Sequence, residues 1–323
     1  MAQQQGSGVR LIYGVETTFG TKAGTTPKYH VLPFTSESLR LSRNLISSKT
    51  IRSDRNPQTP VRGNVEVSGD INFELAPQHG RLFTHALGVC VSGSSPYTYT
   101  IGALPTGLTI EKQFTEITDS DQYWQYTGCR INSLKMAFKS EGMIECSVSV
   151  MGAKETLAAT AADAAPTDVG HDPWDGFQAV ITDKDAVSLG DITELDFTIE
   201  NNLDGGMYVI DGTGQRKAIP AGTAKVSGNL KALFENTALY DRAIANTESS
   251  IKIVLTRGSG NGGAGNEKLT ILMSELIFHP QAPVVGGPQG VVVELPFEAY
   301  YRDSGVSPAG AITFTLAAAG AYY

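Results

Sequence analysis

The sequence predicts a mainly β protein built from antiparallel sheets, and three observations lead to this class. Apolar and polar residues alternate in many short segments, whereas helical periodicity is scarce. Such alternation is typical of strands with one buried and one solvated face, which antiparallel sheets commonly provide. Glycine is abundant, at 35 of 323 residues, and long polar loops separate the alternating segments, as expected for strands joined by turns.

The clearest strand covers residues 64–75. From Val65 to Leu75 the odd-numbered positions are apolar and the even-numbered positions polar, with one interruption at Gly69. This period of two predicts a buried apolar face and a wet, acidic face. The wet face consists of Glu66, Ser68, Asp70, Asn72 and Glu74. Similar alternation occurs at 134–138, 144–150, 195–199 and 293–297.

Two short helices interrupt the strands. Pro77 can occupy a first helical turn, and Gly88 can end the helix that follows it. Near the middle of the second half, Asn236 or Thr237 could cap a helix with the apolar residues Leu239, Tyr240, Ala243 and Ile244. Each half of the chain is therefore expected to hold one short helix.

Two loops are long and polar, at 46–62 and 204–222, and loops of this length between strands are uncommon unless they are functional. We predict that both are arms that become ordered on contact with a neighbouring subunit. Residues 153–169 are rich in small side chains and are interpreted as a linker between domains, although a short helix there stays possible.

An internal repeat is the strongest feature of the sequence. The tripeptide Val67-Ser68-Gly69 recurs 159 residues later as Val226-Ser227-Gly228, and the segment around Leu39 resembles the segment around Leu195. In both copies a strand, a long loop, the Val-Ser-Gly strand and a short helix follow in that order. Further along, Leu134 matches Leu276 best.

The repeat predicts two related antiparallel β-sandwich domains, at 1–155 and 170–323, joined by a linker at 156–169. The alternative is that any two β domains share such alternation. The segment 312–316 is interpreted as an extra strand without a counterpart in the first copy. We expect it to pair with a sheet edge on a neighbouring molecule.

The residues that carry chemistry do not form recognisable motifs. The five histidines are scattered without HExxH, no GxSxG is present, and the three cysteines include no CxxC pair. Gly258–Gly263 matches GxGxxG but leads into another strand rather than the helix that dinucleotide binding requires. The net charge of −8 argues against tight nucleic-acid binding. We predict no enzyme activity, no cofactor and no metal.

Three segments carry a resemblance to a known family, namely Tyr13–Thr21, Leu32–Leu39 and Val65–Leu75 with the short helix after it. The chain resembles the tail tube proteins, or major tail proteins, of long-tailed bacteriophages. The resemblance implies a β-sandwich of the tail tube type with a flanking helix and a long loop, and the repeat would place two such domains in tandem. It also implies subunits that join their sheets into rings, which stack into a tube for DNA and a tape-measure protein. The implied location is the virion, after synthesis in the host bacterial cytoplasm.

A tube needs a hydrophilic channel, and the wet strand faces are the candidates for its lining. The candidates are Glu66, Ser68, Asp70, Asn72 and Glu74 in the first copy, and Glu194, Asp196, Thr198, Glu200, Lys225 and Asn229 in the second. Lys225, and Lys231 on the same strand, leave two interpretations open, a mixed lining or different faces turned inward. An acidic lining would repel DNA and keep it from adhering.

Six tube domains in a ring would need three duplicated chains, so we expect a trimer with pseudo-sixfold symmetry, with a ring of six chains as the alternative. Expected partners are further copies, the tape-measure protein, tail-end proteins and DNA in transit, but not a membrane. The alternative function is a β-sandwich binding module, such as a carbohydrate-binding adhesin or another virion surface protein. A cellular adhesin would need an export signal, and residues 1–8 are polar.

Overall fold

The computed structural model describes residues 4–51, 53–92, 94–117, 122–285, 287, 290–301 and 310–319. Within these ranges every ladder between two strands is antiparallel, which confirms the predicted mainly β class. The two predicted helices are present as α1 (Gly80–Leu87) and α2 (Ala238–Ile244). A turn of 3₁₀ helix at Pro77–His79 precedes α1, and Gly88 follows it with a positive φ of 116°.

The strands divide between the two halves of the chain. Those of the first half are β1 (Arg10–Val15), β2 (His30–Val31), β3 (Ser36–Glu37), β4 (Arg40–Ile46), β5 (Val61–Glu74), β6 (Gly88–Cys90), β7 (Tyr97–Ile101), β8 (Leu108–Gln113), β9 (Tyr123–Lys139), β10 (Glu145–Gly152) and β11 (Lys154–Ala158). Those of the second half are β12 (Ala179–Thr182), β13 (Ile192–Glu200), β14 (Lys225–Leu233), β15 (Ser249–Thr256), β16 (Lys268–Phe278), β17 (Val292–Ala299) and β18 (Thr313–Ala317). Strand β11 therefore occupies residues within the small-residue segment 153–169.

In the first half one long strand, β9, belongs to two sheets. Its N-terminal part lies between β8 and β11, and β1 extends this sheet beyond β8. Its C-terminal part pairs with β10, which is followed by β5 and then by β3 and β4. The two sheets thus share a strand and enclose apolar side chains between them.

The same pairing pattern recurs in the second half around β16. Strands β12, β15 and β18 lie around its N-terminal part, and β17, β14 and β13 follow from its C-terminal end. A register shift also recurs. The β8–β9 ladder shifts after the pair Leu108 and Cys129, and the β15–β16 ladder shifts after the pair Ser249 and Leu276. These ladders make Cys129 the counterpart of Leu276.

The ladders correct three details of the sequence alignment. Leu39 corresponds to Phe197 rather than to Leu195, because the ladder places Leu39 opposite Gly69 and Phe197 opposite Gly228. Leu276 corresponds to Cys129 rather than to Leu134. The C-terminal strand β18 does have a counterpart, β11, because both pair with the N-terminal part of the shared long strand.

The expectation that the C-terminal strand pairs with a neighbouring molecule is also wrong. Strand β18 lies between β16 of its own half and β7 of the first half, so both of its edges are already paired. Single-sequence reasoning could not anticipate this, since a strand edge is satisfied equally well from within the chain or from outside.

Close backbone approach explains why the Val-Ser-Gly tripeptide recurs. A Cβ atom on Gly69 would collide with the backbone of Leu39, and one on Gly228 would collide with the carbonyl oxygen of Asp196. Both glycines therefore occupy equivalent ladder positions at which the neighbouring strand leaves no room for a side chain.

One apolar core extends through both halves. Phe83 of α1 contacts Phe314 of β18, with ring centroids 5.1 Å apart, and Phe314 contacts Phe197 of β13 at 6.3 Å. Strand β9 also pairs directly with β13. The halves are thus joined by two ladders, β9–β13 and β7–β18, and by aromatic packing between them.

The loop at 204–222 folds back onto its own chain, which corrects its prediction as an arm ordered by a neighbour. The buried side chain of Arg216 donates to the carbonyl oxygens of Gly205 (2.8 Å), Val67 (2.9 Å) and Gly152 (3.0 Å). Gly214 accepts a backbone hydrogen bond from Val65. In contrast, the described residues at 47–57 are exposed, and Ser48 and Asp54 form hydrogen bonds with nearby residues of the same segment.

Replacing Arg216 with Ala should release this loop and lower the free energy of unfolding by about 2–4 kcal/mol. Three charge-assisted hydrogen bonds are lost, and buried carbonyl groups are left without donors. Urea unfolding and limited proteolysis at 204–222 would measure the effect. The adjacent exposed Lys217, changed to Ala, is the matched control and should stay within about 0.5 kcal/mol of wild type. Equal behaviour of the two variants would contradict the role given to Arg216.

Candidate functional site: a continuous polar sheet face

The candidate lining residues all lie on one sheet. Strands β4, β5, β10, β9, β13, β14 and β17 follow one another as antiparallel neighbours, so the sheet crosses from the first half into the second at β9–β13. In β5, Glu66, Ser68 and Asp70 are exposed and Asn72 and Glu74 are half-buried. The intervening apolar residues of β5 are buried, as the alternation predicts.

Cross-strand pairing shows that both halves present the same face. One row of directly paired residues runs through six strands, in the order Asn72, Ser147, Lys135, Thr198, Ser227 and Glu298. Directly opposed residues in a sheet point to the same side. Glu194, Asp196 and Glu200 occupy neighbouring rows together with Lys225 and Asn229. We name this surface the polar face.

The polar face carries more acidic than basic side chains. Its nine carboxylates are Glu66, Asp70, Glu74, Glu145, Glu194, Asp196, Glu200, Glu294 and Glu298, and its seven cations are Arg40, Arg62, Arg130, Lys135, Lys139, Lys225 and Lys231. Carboxylates therefore outnumber cations on the polar face. Of the two interpretations left by the lysines, this geometry supports a mixed face rather than two different faces.

The lysines of the second half form ion pairs with carboxylates of the same face. Lys231 lies 3.0 Å from Glu194 and 3.1 Å from Glu294, and Lys225 pairs with Glu298. The neighbouring carboxylates raise the pKa of Lys231, and Lys225 lowers the pKa of Glu298. These cations are thus neutralised locally and do not create a basic patch that would hold a polyanion.

A shallow depression of about 730 Å³ lies on the polar face where the two halves meet. Its charged rim includes Glu74, Lys139, Glu145 and Asp196. Among the described residues, no group of three or more His, Cys, Asp or Glu side chains is placed to hold a metal ion. Because its rim residues belong to the strands of the polar face, the depression is described as part of that face.

Several residues of the polar face were not among the sequence candidates. They are Lys135, Lys139, Glu145, Ser147, Glu294 and Glu298. The alternation at 134–138, 144–150 and 293–297 was visible in the sequence, but the strand order was not. Only the order shows that β9, β10 and β17 fill the sheet between and beside β5, β13 and β14.

Together, the fold and the face define a mainly antiparallel β protein that presents a broad, net acidic sheet surface. The model of the phage tail tube protein family matches residues 6–299. The chain therefore belongs to the phage tail tube protein family. Membership identifies a structural protein of the virion that self-assembles into a tube. Strand β18 lies beyond the matched residues.

No curated protein matches the chain. In the part of the chain that the structure describes, no helix has the length and apolar character needed to span a membrane.

Proposed function

We propose that this protein forms closed rings whose polar faces line a channel, and that the rings stack into the tail tube through which genome DNA passes during ejection. The observation that carries the proposal is the continuity of the polar face across both halves of one chain. A sheet that is apolar beneath and net acidic above is suited to enclose water and a passing polyanion.

The width of the sheet favours three chains in each ring. Strand β16 follows β17 in this sheet, so eight strands about 4.8 Å apart, counting one gap to the next chain, give an arc of about 38 Å. Three arcs close to a bore of about 37 Å between backbones, and six arcs to about 73 Å, before strand tilt widens either. The smaller bore is closer to the width of one DNA duplex.

The β9–β13 ladder supplies an internal model for the contact between chains. If the segments 1–155 and 170–323 are two tube domains joined at 156–169, each chain already contains one of the two kinds of domain junction. Three chains then make a ring of six domains with pseudo-sixfold symmetry. Both junctions keep the polar faces aligned around one axis.

The remaining partners follow from the tube. A tape-measure protein would occupy the channel before the DNA does, and tail-end proteins would close the stack. The exposed arm at 46–62 is the proposed stacking element, since it contains four cationic residues and one acidic residue in a chain of net charge −8. Opposite charge on an adjacent ring would attract it.

Electron microscopy and analytical ultracentrifugation of the purified full chain would test this function. We expect rings or tubes with threefold symmetry and a ring mass near three times the 34.3 kDa of the chain. A mass near six times that value would support the six-chain ring. A chain that stays monomeric at high concentration, in the presence of its tail partners, would contradict the proposal.

Reversing charge on the polar face should separate assembly from passage. The double variant Glu66→Lys and Asp70→Lys should form tubes of normal length, because both side chains are exposed and away from apolar contacts. The resulting cations would attract DNA, so phage carrying the variant should eject its genome more slowly. Ejection kinetics measure the effect, and Glu66→Gln with Asp70→Asn is the control. Failure to assemble would instead assign these residues to an interface.

A further inference from the structure

The first half contains an apolar groove that its counterpart in the second half does not. A depression of about 410 Å³ opens between β4 and the sheet of β8, β9 and β11. We name it the first-half groove, and it is lined by Leu39, Leu41, Lys112, Phe114, Trp124 and Tyr126. Leu157 of β11, paired with Trp124, is 48% exposed beside it.

The ladders identify the counterpart of each groove residue. Trp124 pairs with Lys112 and Leu157, and Ile271 pairs with Ile253 and Phe314 in the same arrangement. Leu39 corresponds to Phe197 through the two glycines described above. The six counterparts are Phe197, Ile199, Ile253, Leu255, Ile271 and Met273, and each has 0% of its surface exposed.

The counterparts are buried because the first half covers them. Strand β9 pairs with the edge of β13, and β7 pairs with the edge of β18. Helix α1 packs Phe83 against Phe314. In the first half the equivalent edges, those of β4 and β11, are not paired by any described strand on their outer sides. The first-half groove is therefore the same site with less cover, because Leu41, Phe114 and Trp124 are only half-buried there. Leu39, Lys112 and Tyr126 at its base are buried, as their counterparts are.

Helix α2 is the counterpart of the covering helix α1. Leu82-Phe83-x-x-Ala86 in α1 corresponds to Leu239-Tyr240-x-x-Ala243 in α2, and both alanines are buried. Helix α1 also buries Leu82, Phe83, His85 and Leu87, whereas Ala243 is the only buried residue of α2. Ile244 of α2 is 59% exposed.

We propose that α2 of one chain docks into the first-half groove of a second copy, in the way that α1 covers the second half within a chain. This inference rests on the proposed ring and names its junction between chains. We choose a second copy as the occupant because the same contact already exists within one chain. There, α1 of the first half covers the site of the second half that corresponds to the first-half groove. The contact is heterologous, so repetition can close a ring.

The charges of the two surfaces suit an interface that is exposed before assembly. Lys112 in the first-half groove pairs with Glu37 at 2.7 Å, where its counterpart is the apolar Ile253. Helix α2 carries Asp241 and Arg242 where α1 carries Thr84 and His85. Polar groups at the rim of an apolar contact keep the free chain soluble and set specificity.

Cysteine cross-linking between chains gives a direct test. By the counterpart relations, Tyr240 of one chain should lie against Leu157 of the next, as Phe83 lies against Phe314. The variant Tyr240→Cys and Leu157→Cys, in a Cys90→Ser background, should form covalent dimers and trimers when assembled material is treated with a short bismaleimide, which does not require the close backbone approach of a disulfide. Replacing Tyr240→Cys by Val180→Cys, at an exposed site on β12, is the control. Cross-linking no greater than in the control would overturn the proposal.

A mixing experiment separates this inference from the tube function itself. Ile244→Asp and Leu157→Asp should each block ring formation, while an equimolar mixture should give heterodimers, because each variant keeps one intact surface. The equally exposed Val180→Asp should assemble as wild type does. If both test variants form normal tubes, the tube function stands and the docking site is wrong. If the wild-type chain forms no rings, the proposed function fails first.

Discussion

Deleting residues 310–323 is expected to unfold the second half of the chain. The deletion removes Ile312 together with Phe314 and Leu316 of β18, and each of these residues is 0% exposed. Loss of one buried Phe side chain costs about 3–5 kcal/mol, and the two aliphatic residues add about 1.5–3 kcal/mol each. The sum is comparable to the whole stability of a typical domain, about 5–15 kcal/mol. The edges of β16 and β7 would also lose their ladder.

Circular dichroism and solubility of the truncated chain would measure this loss, and point variants would grade it. Phe314→Ala should lower the free energy of unfolding by about 3–5 kcal/mol, and Phe314→Leu by less. Thr315→Ala, at the partly exposed neighbouring position, is the control and should change little. A soluble, cooperatively folding truncated chain would show that β18 is an accessory strand.

Acidification from pH 7 to pH 5 is expected to lower the free energy of unfolding by about 3–4 kcal/mol through two buried histidines. Burial lowers the pKa of His79 to about 3 and that of His85 to about 4, with smaller contributions from His171, and from Arg81 and Arg130. Both values lie below the ordinary 6.5 of an unfolded chain. Between the folded and unfolded pKa values the unfolded state binds more protons than the folded state. The free energy of unfolding therefore keeps this contribution above about pH 6.5 and loses it as the pH falls.

The geometry gives a reason why the His79 ring is neutral. His79 accepts a hydrogen bond from the backbone N–H of Ala76 through Nδ1 at 3.1 Å, and Phe73 packs against its ring at 4.5 Å. Denaturant unfolding at several pH values would measure the slope. The double variant His79→Gln and His85→Gln should flatten it, and the exposed His279→Gln should not. An unchanged slope in the double variant would assign the acid sensitivity to other groups, namely His30, whose pKa burial lowers to about 4, or the carboxylates.

The fold class and much of the polar face could be predicted because period-two alternation reports directly on burial. Glu66 to Glu74 and Glu194 to Glu200 lie where the alternation put them. The strand order could not be predicted in this way, since pairing between β9 and β13 depends on which edges meet in space. For the same reason Glu145 and Glu298 were missed.

The loop at 204–222 and the C-terminal strand show a second limit. The sequence of each segment is typical of an exposed loop or an unpaired strand. In the structure, hydrogen bonds from Arg216 and ring packing of Phe314 hold the two segments against the rest of the chain. A buried guanidinium bound by carbonyl oxygens leaves no periodic signal. A strand that completes a core has the same sequence whether its partner is its own chain or another.

The segment that connects the helix to the corresponding next strand, β8 in the first half and β15 in the second, differs in length between the halves. It spans residues 88–107 after α1 and contains the β6–β7 hairpin, but only residues 245–248 after α2. Through the β7–β18 ladder, this hairpin holds the two halves of one chain together. No described strand makes the equivalent contact between two chains. In a three-chain ring, three of the six domain junctions join domains of one chain, whose covalent linkage gives them a high effective concentration for each other. Only three contacts between separate chains are then needed to close the ring. Around such a tube, strong junctions within chains would alternate with weaker junctions between chains. The tube would deform first at the junctions between chains.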